Sequence, residues 1–438
     1  MSVRLKILIV AHEFSPSQGS ECAVGWNLVT RLCKYHDITV LYARRNQFNT
    51  SDYESSVNRY LEANGKISDL NLIPVDQPEI TKFFVKINSL IKPTNSAIGF
   101  APLYYAGYRF WQKSAYRIAG ELISSDRFDI VHQLTSISFR EPGFLWKFDI
   151  PFVWGPVSGL VKIPSTYYEN LNLKEILFEL IRRGSNFFQS NFSYRIKKAS
   201  KKAKLIFAVS PDDYSFFLKH SKALVLPLLD VGSYDHLIGK KAMVGRSTEY
   251  ASKLKLIWIG RLVHTKALEL LLFAMDFDKN LQKNTEITII GDGPLYNRCR
   301  NIEKKLEIKN IKWMGSVSHE RVLEVISMYD ALIHTSIKEA TSAVILEALS
   351  CGVPVICHDA FGMGVAIDKR CGIKVQMETP EKSIKGFSEA IRLIDEDRDL
   401  LKNLSQGALI RAAELSWDSM AKQIADEYIC VTGLCSEA

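Results

Sequence analysis

The sequence is poor in the features that mark membrane-spanning, secreted or metal-stapled chains. Its apolar runs are strand-sized, and none approaches the ~18 residues needed to cross a bilayer. Its eight cysteines (Cys22, Cys33, Cys299, Cys351, Cys357, Cys371, Cys430 and Cys435) are scattered and form no Cys-x-x-Cys pair. That pattern predicts reduced thiols and no structural zinc. No internal repeat or low-complexity tract occurs. The first ten residues, Met1 to Val10, lack a small-residue cleavage site and read as a strand rather than a signal peptide. A cytoplasmic location is expected.

What is present is ordinary in amount and uneven in placement. The 438 residues, 47% of them hydrophobic, exceed one domain and suit two or three of ~100–200 residues each. Of a net charge of +8, nearly all sits between Lys174 and Lys204, where nine bases meet only Glu175 and Glu179. Phe178, Phe187, Phe188, Phe192 and Tyr194 interleave with them. A basic, aromatic, helical stretch suits an anionic membrane surface. Arg182, Arg183, Arg195, Lys197, Lys198, Lys201 and Lys202 are the expected membrane contacts, with peripheral binding at the cytoplasmic face the implied location. The competing reading is a solvated helix face. No recognised nucleic-acid module accompanies the patch, so nucleic acid is not expected as a partner.

Along the chain, continuous apolar segments alternate with helical ones. Strands are expected at Lys6–Val10, Ile38–Tyr42, Asp129–Gln133, Phe152–Trp154, Leu205–Val209 and Leu224–Leu226, with a helix over Ser20–Tyr35. An irregular helical insertion, broken by Pro93 and Pro102, fills the stretch from Pro78 to Ser125. In the second half, strands at Leu254–Ile259, Glu286–Ile290, Ile311–Met314, Ala331–His334 and Val353–Cys357 alternate with helices at Lys266–Met275, Pro294–Leu306, His319–Met328 and Ser342–Ser350. Unbroken apolar strands separated by amphipathic helices predict parallel sheets covered on both faces. The polar stretch Asp235–Ser252 is the expected linker, and a helical tail from about Asp395 ends near Tyr428.

In such sheets ligands sit beyond the carboxyl ends of the strands. Four places there carry chemistry. Gly260-Arg261-Leu262-Val263-His264-Thr265-Lys266 follows a strand and precedes a helix, and two cations beside a helix N-terminus suit a diphosphate. Glu339 and Glu347 flank the start of another helix. Carboxylates there can accept hydrogen bonds from sugar hydroxyls. Gly19, before the first helix, allows close approach of backbone to ligand. His132 ends a strand and can face a sugar or an acceptor, though such a histidine is more often structural. Arg140 and Glu141 follow in the next loop as weaker candidates. Gly291-Asp292-Gly293-Pro294 reads as a structural turn with proline starting a helix.

Taken in order, these elements, with Gly352-Val353-Pro354-Val355 and Gly372-Ile373-Lys374-Val375, resemble the retaining nucleotide-sugar glycosyltransferases of the GT-B fold, glycosyltransferase family 4. The likeness covers nearly the whole chain. It is strong from about Leu254 to Val375, and weaker at Gly19-Ser20-Glu21, Val131-His132 and Trp154-Gly155-Pro156-Val157. The resemblance implies an α/β protein of two Rossmann-like parallel-sheet domains facing across a cleft. Residues 1–230 would form the acceptor-side domain and 231–415 the nucleotide-sugar domain, with 416–438 a helix crossing back to the first. It further implies that Arg261 and Lys266 hold the leaving diphosphate, Glu339 the donor sugar and Glu347 the ribose. Backbone near Gly260 and from Ser342 through Ala343 to Val344 would face the donor, Gly19 would lie against the diphosphate, and His132 would sit near the sugar or the acceptor.

The implied reaction moves a hexosyl group from a UDP- or GDP-sugar to an acceptor hydroxyl, with retention, and the basic segment Lys174–Lys204 suggests that the acceptor is a lipid-linked saccharide of envelope polysaccharide assembly. No metal and no cofactor are expected, the nucleotide-sugar being a substrate. Alternatives are a GT-B hydrolase or epimerase of nucleotide-sugars, or a non-catalytic membrane-associated sugar-binding protein. The chain departs from the family pattern at Ala267, Thr341, Ser342 and Ser158. None of these removes a charge, and the pair Thr341-Ser342 lies where donor choice would be set.

Overall fold

The strand segments are apolar throughout because both of their faces are covered. In β1 (Lys6–Ala11), Ile7, Leu8 and Ile9 are all fully buried, so no alternation of polar and apolar residues develops. The computed structural model describes residues 3–48, 50–91, 99–239 and 253–434. Most of the expected linker, 240–252, lies outside them.

The first sheet holds β1, β2 (Asp37–Ala43), β3 (Leu70–Val75), β4 (Ile130–Thr135), β5 (Phe152–Val157), β6 (Ala203–Ala208) and β7 (Leu224–Pro227). Its strands are parallel in the order β3-β2-β1-β4-β5-β6-β7, with Ile7 registered between Ile38 and Ile130. The second sheet holds β8 (Leu254–Ile259), β9 (Thr285–Ile290), β10 (Ile311–Gly315), β11 (Ala331–His334), β12 (Val355–His358) and β13 (Gly372–Val375), in the order β10-β9-β8-β11-β12-β13. Two Rossmann-like parallel sheets, each flanked by helices, are the GT-B architecture.

Each sheet reverses its winding once, between β1 and β4 in the first and between β8 and β11 in the second. A crevice opens at the carboxyl ends of strands at such a point. This topology places the loops after β8 and β11, and those after β1 and β4, where a ligand can reach them.

The insertion between β3 and β4 is a pair of helices, Glu79–Ile91 and Ala101–Ser125, packed on each other. Trp111 of the second is fully buried and donates to Val75 O at 3.2 Å, tying the pair to the sheet edge. At the far end, helix Trp417–Val431 leaves the second domain and packs on helix Glu21–Leu32 of the first. Arg31 reaches Asp418 at 2.8 Å, and His36 Nε2 lies 3.1 Å from Ala425 O.

His132 fastens the same helix. Its Nε2 lies 2.7 Å from Gly155 O, a carbonyl that can only accept, so Nε2 carries the proton and Nδ1 accepts from the Tyr428 hydroxyl. Burial lowers the imidazole to about 4, so the ring stays neutral. Six described cysteines are free and buried. Cys430 departs from the expectation of reduced thiols. It is exposed in the last turns of the returning helix, outside the core that holds the other six, and is disulfide-bonded.

Replacing Tyr428 by Phe removes one buried hydrogen bond and leaves His132 Nδ1 unpaired, at an expected cost of about 1–3 kcal/mol. Denaturant unfolding of the full chain measures it.

Candidate functional site

The loop after β8 is shaped by its neighbours. The turn after β9 presses on it so closely that a Cβ on Gly291 would lie 1.8 Å from Gly260 O, and Gly291 has a φ of 139°. Only glycine fits there. The turn Gly291-Asp292-Gly293-Pro294 therefore braces the loop that carries Arg261 and Lys266. From the other side, the loop after β11 is laced to it. Ile337 N donates to Thr265 O at 2.8 Å, and Thr335 Oγ1 donates to Lys266 O at 2.8 Å. The helix that follows begins at Leu268 rather than Lys266, because His264–Lys266 form a 3-10 turn first. That turn ends at Ala267 in the left-handed region, φ 45° and ψ 48°.

This lacing brings Lys266 and Glu339 together. Their side chains form an ion pair across the two loops, each about one-fifth exposed. Burial pushes the Glu339 carboxyl up, but His334 beside it and the Lys266 ammonium outweigh burial and hold it at about 2. The ammonium is in direct contact. His334 Nε2 lies 3.7 Å away and has no hydrogen-bond partner, so Lys266 is the stronger influence. Ser336 Oγ stands 3.2 Å from the same carboxylate. Behind it, Ser336 O meets His358 Nδ1 at 2.9 Å, His358 Nε2 meets Ser383 Oγ at 2.8 Å, and Ser383 meets the Tyr167 hydroxyl of the first domain at 2.6 Å.

Beside this pair a cavity of about 450 Å³ separates the domains, within the ~300–1,000 Å³ usual for small-ligand sites. Gly19 and Glu21 line it from the first domain, and Thr341, Ala343 and Glu347 from the second, with Asp230 at the crossover between them. The space beside Gly19 is open, with nothing within 4 Å of where a Cβ would stand. Burial raises the Glu347 carboxyl, with His319 Nδ1 at 3.6 Å. Burial, helped by Glu13 and Asp230, pushes Glu21 up to about 8, and burial pushes Asp230 up to about 6. Asp230 and Thr341 face each other across the wall, and neither Asp230 Oδ1 nor Thr341 Oγ1, both buried, completes a well-formed hydrogen bond. Buried polar atoms ordinarily have partners, so this wall offers an acceptor and a hydroxyl to a polar ligand.

The other expected site residues divide. Arg261 is exposed on its loop after Gly260 and makes no ion pair among the described residues. Ser342 and Val344 are buried at the start of helix Ala343–Ser350, and the Ser342 side chain does not cap it. His132, expected near the sugar or the acceptor, lies inside the first domain. It is fully buried between Gly155 and Tyr428 and has no surface to offer a ligand. Glu141 is buried between Arg109 at 2.9 Å and Arg195 at 3.0 Å, a structural cluster.

Three of the expected membrane contacts also turn inward. Arg195 serves Glu141, while Arg182 and Arg183 pair with buried Glu179 and reach Val161 O and Ile163 O. Their guanidinium groups satisfy buried acceptors, so only Lys197, Lys198, Lys201 and Lys202 stand exposed. Residues that the motifs did not single out for the site are Ser336, His334, Asp230 and Lys338. Thr335-Ser336, polar and directly after a buried strand, was the available signal for the first.

Residues 240–411 match the family described as glycosyl transferases group 1. The phosphatidylinositol N-acetylglucosaminyltransferase GPI3 subunit of Saccharomyces cerevisiae is 25% identical over 143 residues, 32% of this chain and 32% of that protein. The D-inositol 3-phosphate glycosyltransferase of Streptomyces bingchenggensis is 27% identical over 184 residues, 39% of each. The matched stretches thus span less than half the length of these curated relatives. Among solved structures, sucrose-phosphate synthase of Thermosynechococcus elongatus superposes with a TM-score of 0.61 at 14% identity, covering 99% of this chain and 100% of that one. Anabaena HepE in complex with UDP-glucose gives 0.55 at 14%, covering 97% and 99%. The fold is shared along the whole chain, and the group 1 glycosyltransferase match lies in the second domain.

Two expectations follow. Glu21 binds its proton more tightly folded (about 8) than at its ordinary value of 4.5, so its contribution to stability falls as pH rises between those values. Glu21→Gln should therefore gain stability relative to the parent on going from the lower to the upper end of that window, read as unfolding midpoints at each pH. Ala267→Gly relieves a left-handed alanine and should stabilise by about 1 kcal/mol in denaturant unfolding.

Proposed function

We propose that the protein is a retaining hexosyltransferase. It would use a nucleoside diphosphate sugar, UDP- or GDP-linked, and an acceptor hydroxyl on a lipid-linked saccharide. The observation that carries this reading is the Lys266–Glu339 pair at the winding reversal of the second sheet, beside a cavity that also presents Glu347 and Gly19.

In this reading the donor spans the cavity and the paired loops. Glu347 accepts from ribose hydroxyls. The diphosphate competes with Glu339 for the Lys266 ammonium, and Arg261 adds a second cation. Glu339, so released, accepts from the sugar hydroxyls. Charge grows on the leaving diphosphate as the anomeric C–O bond breaks, and the partly buried Lys266 ammonium, with the exposed Arg261 guanidinium beside it, offsets that charge. Glu21, protonated near neutral pH, can donate a hydrogen bond to a phosphate oxygen instead of repelling it. The acceptor oxygen forms the new bond on the face the diphosphate leaves, and its proton passes to a diphosphate oxygen. Retention then needs no enzyme nucleophile.

The lipid-linked acceptor draws support from a relative named for transfer to phosphatidylinositol. Assembly of an envelope polysaccharide is the setting we assign to it.

Lys266→Met and Glu339→Gln should each lower kcat/KM by about a hundredfold or more, read as nucleotide release from a panel of UDP- and GDP-sugars with a membrane extract as acceptor source. Near-normal turnover in both variants would sink the assignment. Release at full rate without the extract would point to hydrolysis instead.

A further inference from the structure

Helix Leu173–Phe192 is built inside out. Its inward face is polar and charged: Glu175, Glu179, Arg182, Arg183, Asn186 and Ser190 face the protein. Its outward face is apolar: Leu173, Leu177, Ile181, Phe187, Phe188 and Phe192 are exposed, the two adjacent phenylalanines at 65% each. Isolated exposed apolar residues are common, but a continuous stripe along about 30 Å of helix is not.

The next helix, Tyr194–Lys202, continues the surface with exposed Lys197, Lys198, Lys201 and Lys202. From Gly184 to Lys202 there is no acidic residue, and the two acids before it point inward. An apolar stripe edged by cations alone complements an anionic lipid surface. A two-fold contact between two copies of this face would set lysine against lysine.

The inward face crosses to the second domain. Glu179, 2% exposed, meets Lys338 at 2.9 Å, and Lys338 adjoins Glu339. Glu175 meets His264, in the loop that carries Lys266, at 3.3 Å. Just before the helix, Thr166 Oγ1 donates to Glu378 O at 2.6 Å, and Ile163 and Tyr167 pack with Ala267, Leu270 and Ile337 in a small apolar cluster of their own. One helix thus carries an apolar face outward and grips both loops of the candidate site inward.

We propose that the outward face of this helix seats in an anionic lipid bilayer, and that its inward face then holds the cleft closed over Lys266 and Glu339. The inference rests on the transferase reading for its purpose but not for its test, since neither readout below uses a sugar donor.

The full chain, a Phe187→Ser/Phe188→Ser variant and a Lys338→Met variant are pelleted with vesicles of phosphatidylglycerol and phosphatidylethanolamine, and with phosphatidylcholine vesicles. Hydrogen exchange of peptides spanning 261–267 and 335–343 is followed with and without vesicles. The parent should pellet with the anionic vesicles and gain protection in both loops. The double serine variant should lose about tenfold or more of its vesicle affinity. Lys338→Met should pellet like the parent and fail to gain the protection. A parent that stays in solution, a serine variant that pellets like the parent, or vesicle binding that leaves both loops unchanged overturns the proposal. So does a stable dimer that the serine substitutions dissolve, which would assign the face to a second copy. A chain that binds vesicles and closes, yet transfers nothing, refutes the transferase reading alone.

Discussion

The geometry of the cleft depends on the chain passing twice between its domains. It leaves the first sheet after β7 and comes back at Trp417, and the two passages are bonded side by side. Ser233 N donates to Leu415 O at 3.1 Å, and Trp417 N donates to Ser233 O at 2.9 Å. Gly232 admits the Trp417 ring, since a Cβ there would stand 2.7 Å from it. Two strands of backbone bonded in this way bend together but do not slide. The cavity lies against this seam, with Asp230, Ser233 and Trp417 in its wall. The seam thus sets the separation of Gly19 and Ala343, on opposite walls of the cavity, while lying outside both sheets.

Much of this was legible from the sequence, and the reasons are physical. Strands covered on both faces show as unbroken apolar runs, so β1, β8 and β9 could be read within a residue or two. The loops after β8 and β11 carried their charged residues in a fixed order, and parallel winding alone puts such loops at the ligand-binding end. The edge strand Leu70–Val75 was missed, because only Val75 of it is buried and Pro74 interrupts it. An edge strand needs less apolar surface, and its pattern fades accordingly.

Direction was harder to read than position. Charge counting found the segment 174–204 but could not tell which way its side chains point. The arginines face buried carboxylates and carbonyls, and the phenylalanines face out, which reverses the usual arrangement. A histidine at a strand end looked like a ligand contact for a similar reason. Sequence places His132 at the right end of β4, but only the returning helix, some three hundred residues later in the chain, shows that Tyr428 occupies its free nitrogen. Contacts between distant segments have no local signature.

The line of hydrogen bonds from Tyr167 to Ser336 is also a statement about where protons are. A backbone carbonyl cannot donate, so His358 Nδ1 carries the hydrogen toward Ser336 O and Nε2 must accept. Ser383 therefore points its hydrogen at the ring, and the single hydrogen of Tyr167 is shared between Ser383 Oγ at 2.6 Å and Thr379 O at 3.1 Å. The His358 ring and the Ser383 hydroxyl each have a single orientation, dictated from the carbonyl end. From Ser383 the line runs one way, with its polarity aimed into the floor beneath Glu339. Reversing the Ser383 dipole would require reversing the ring as well, and the carbonyl forbids that.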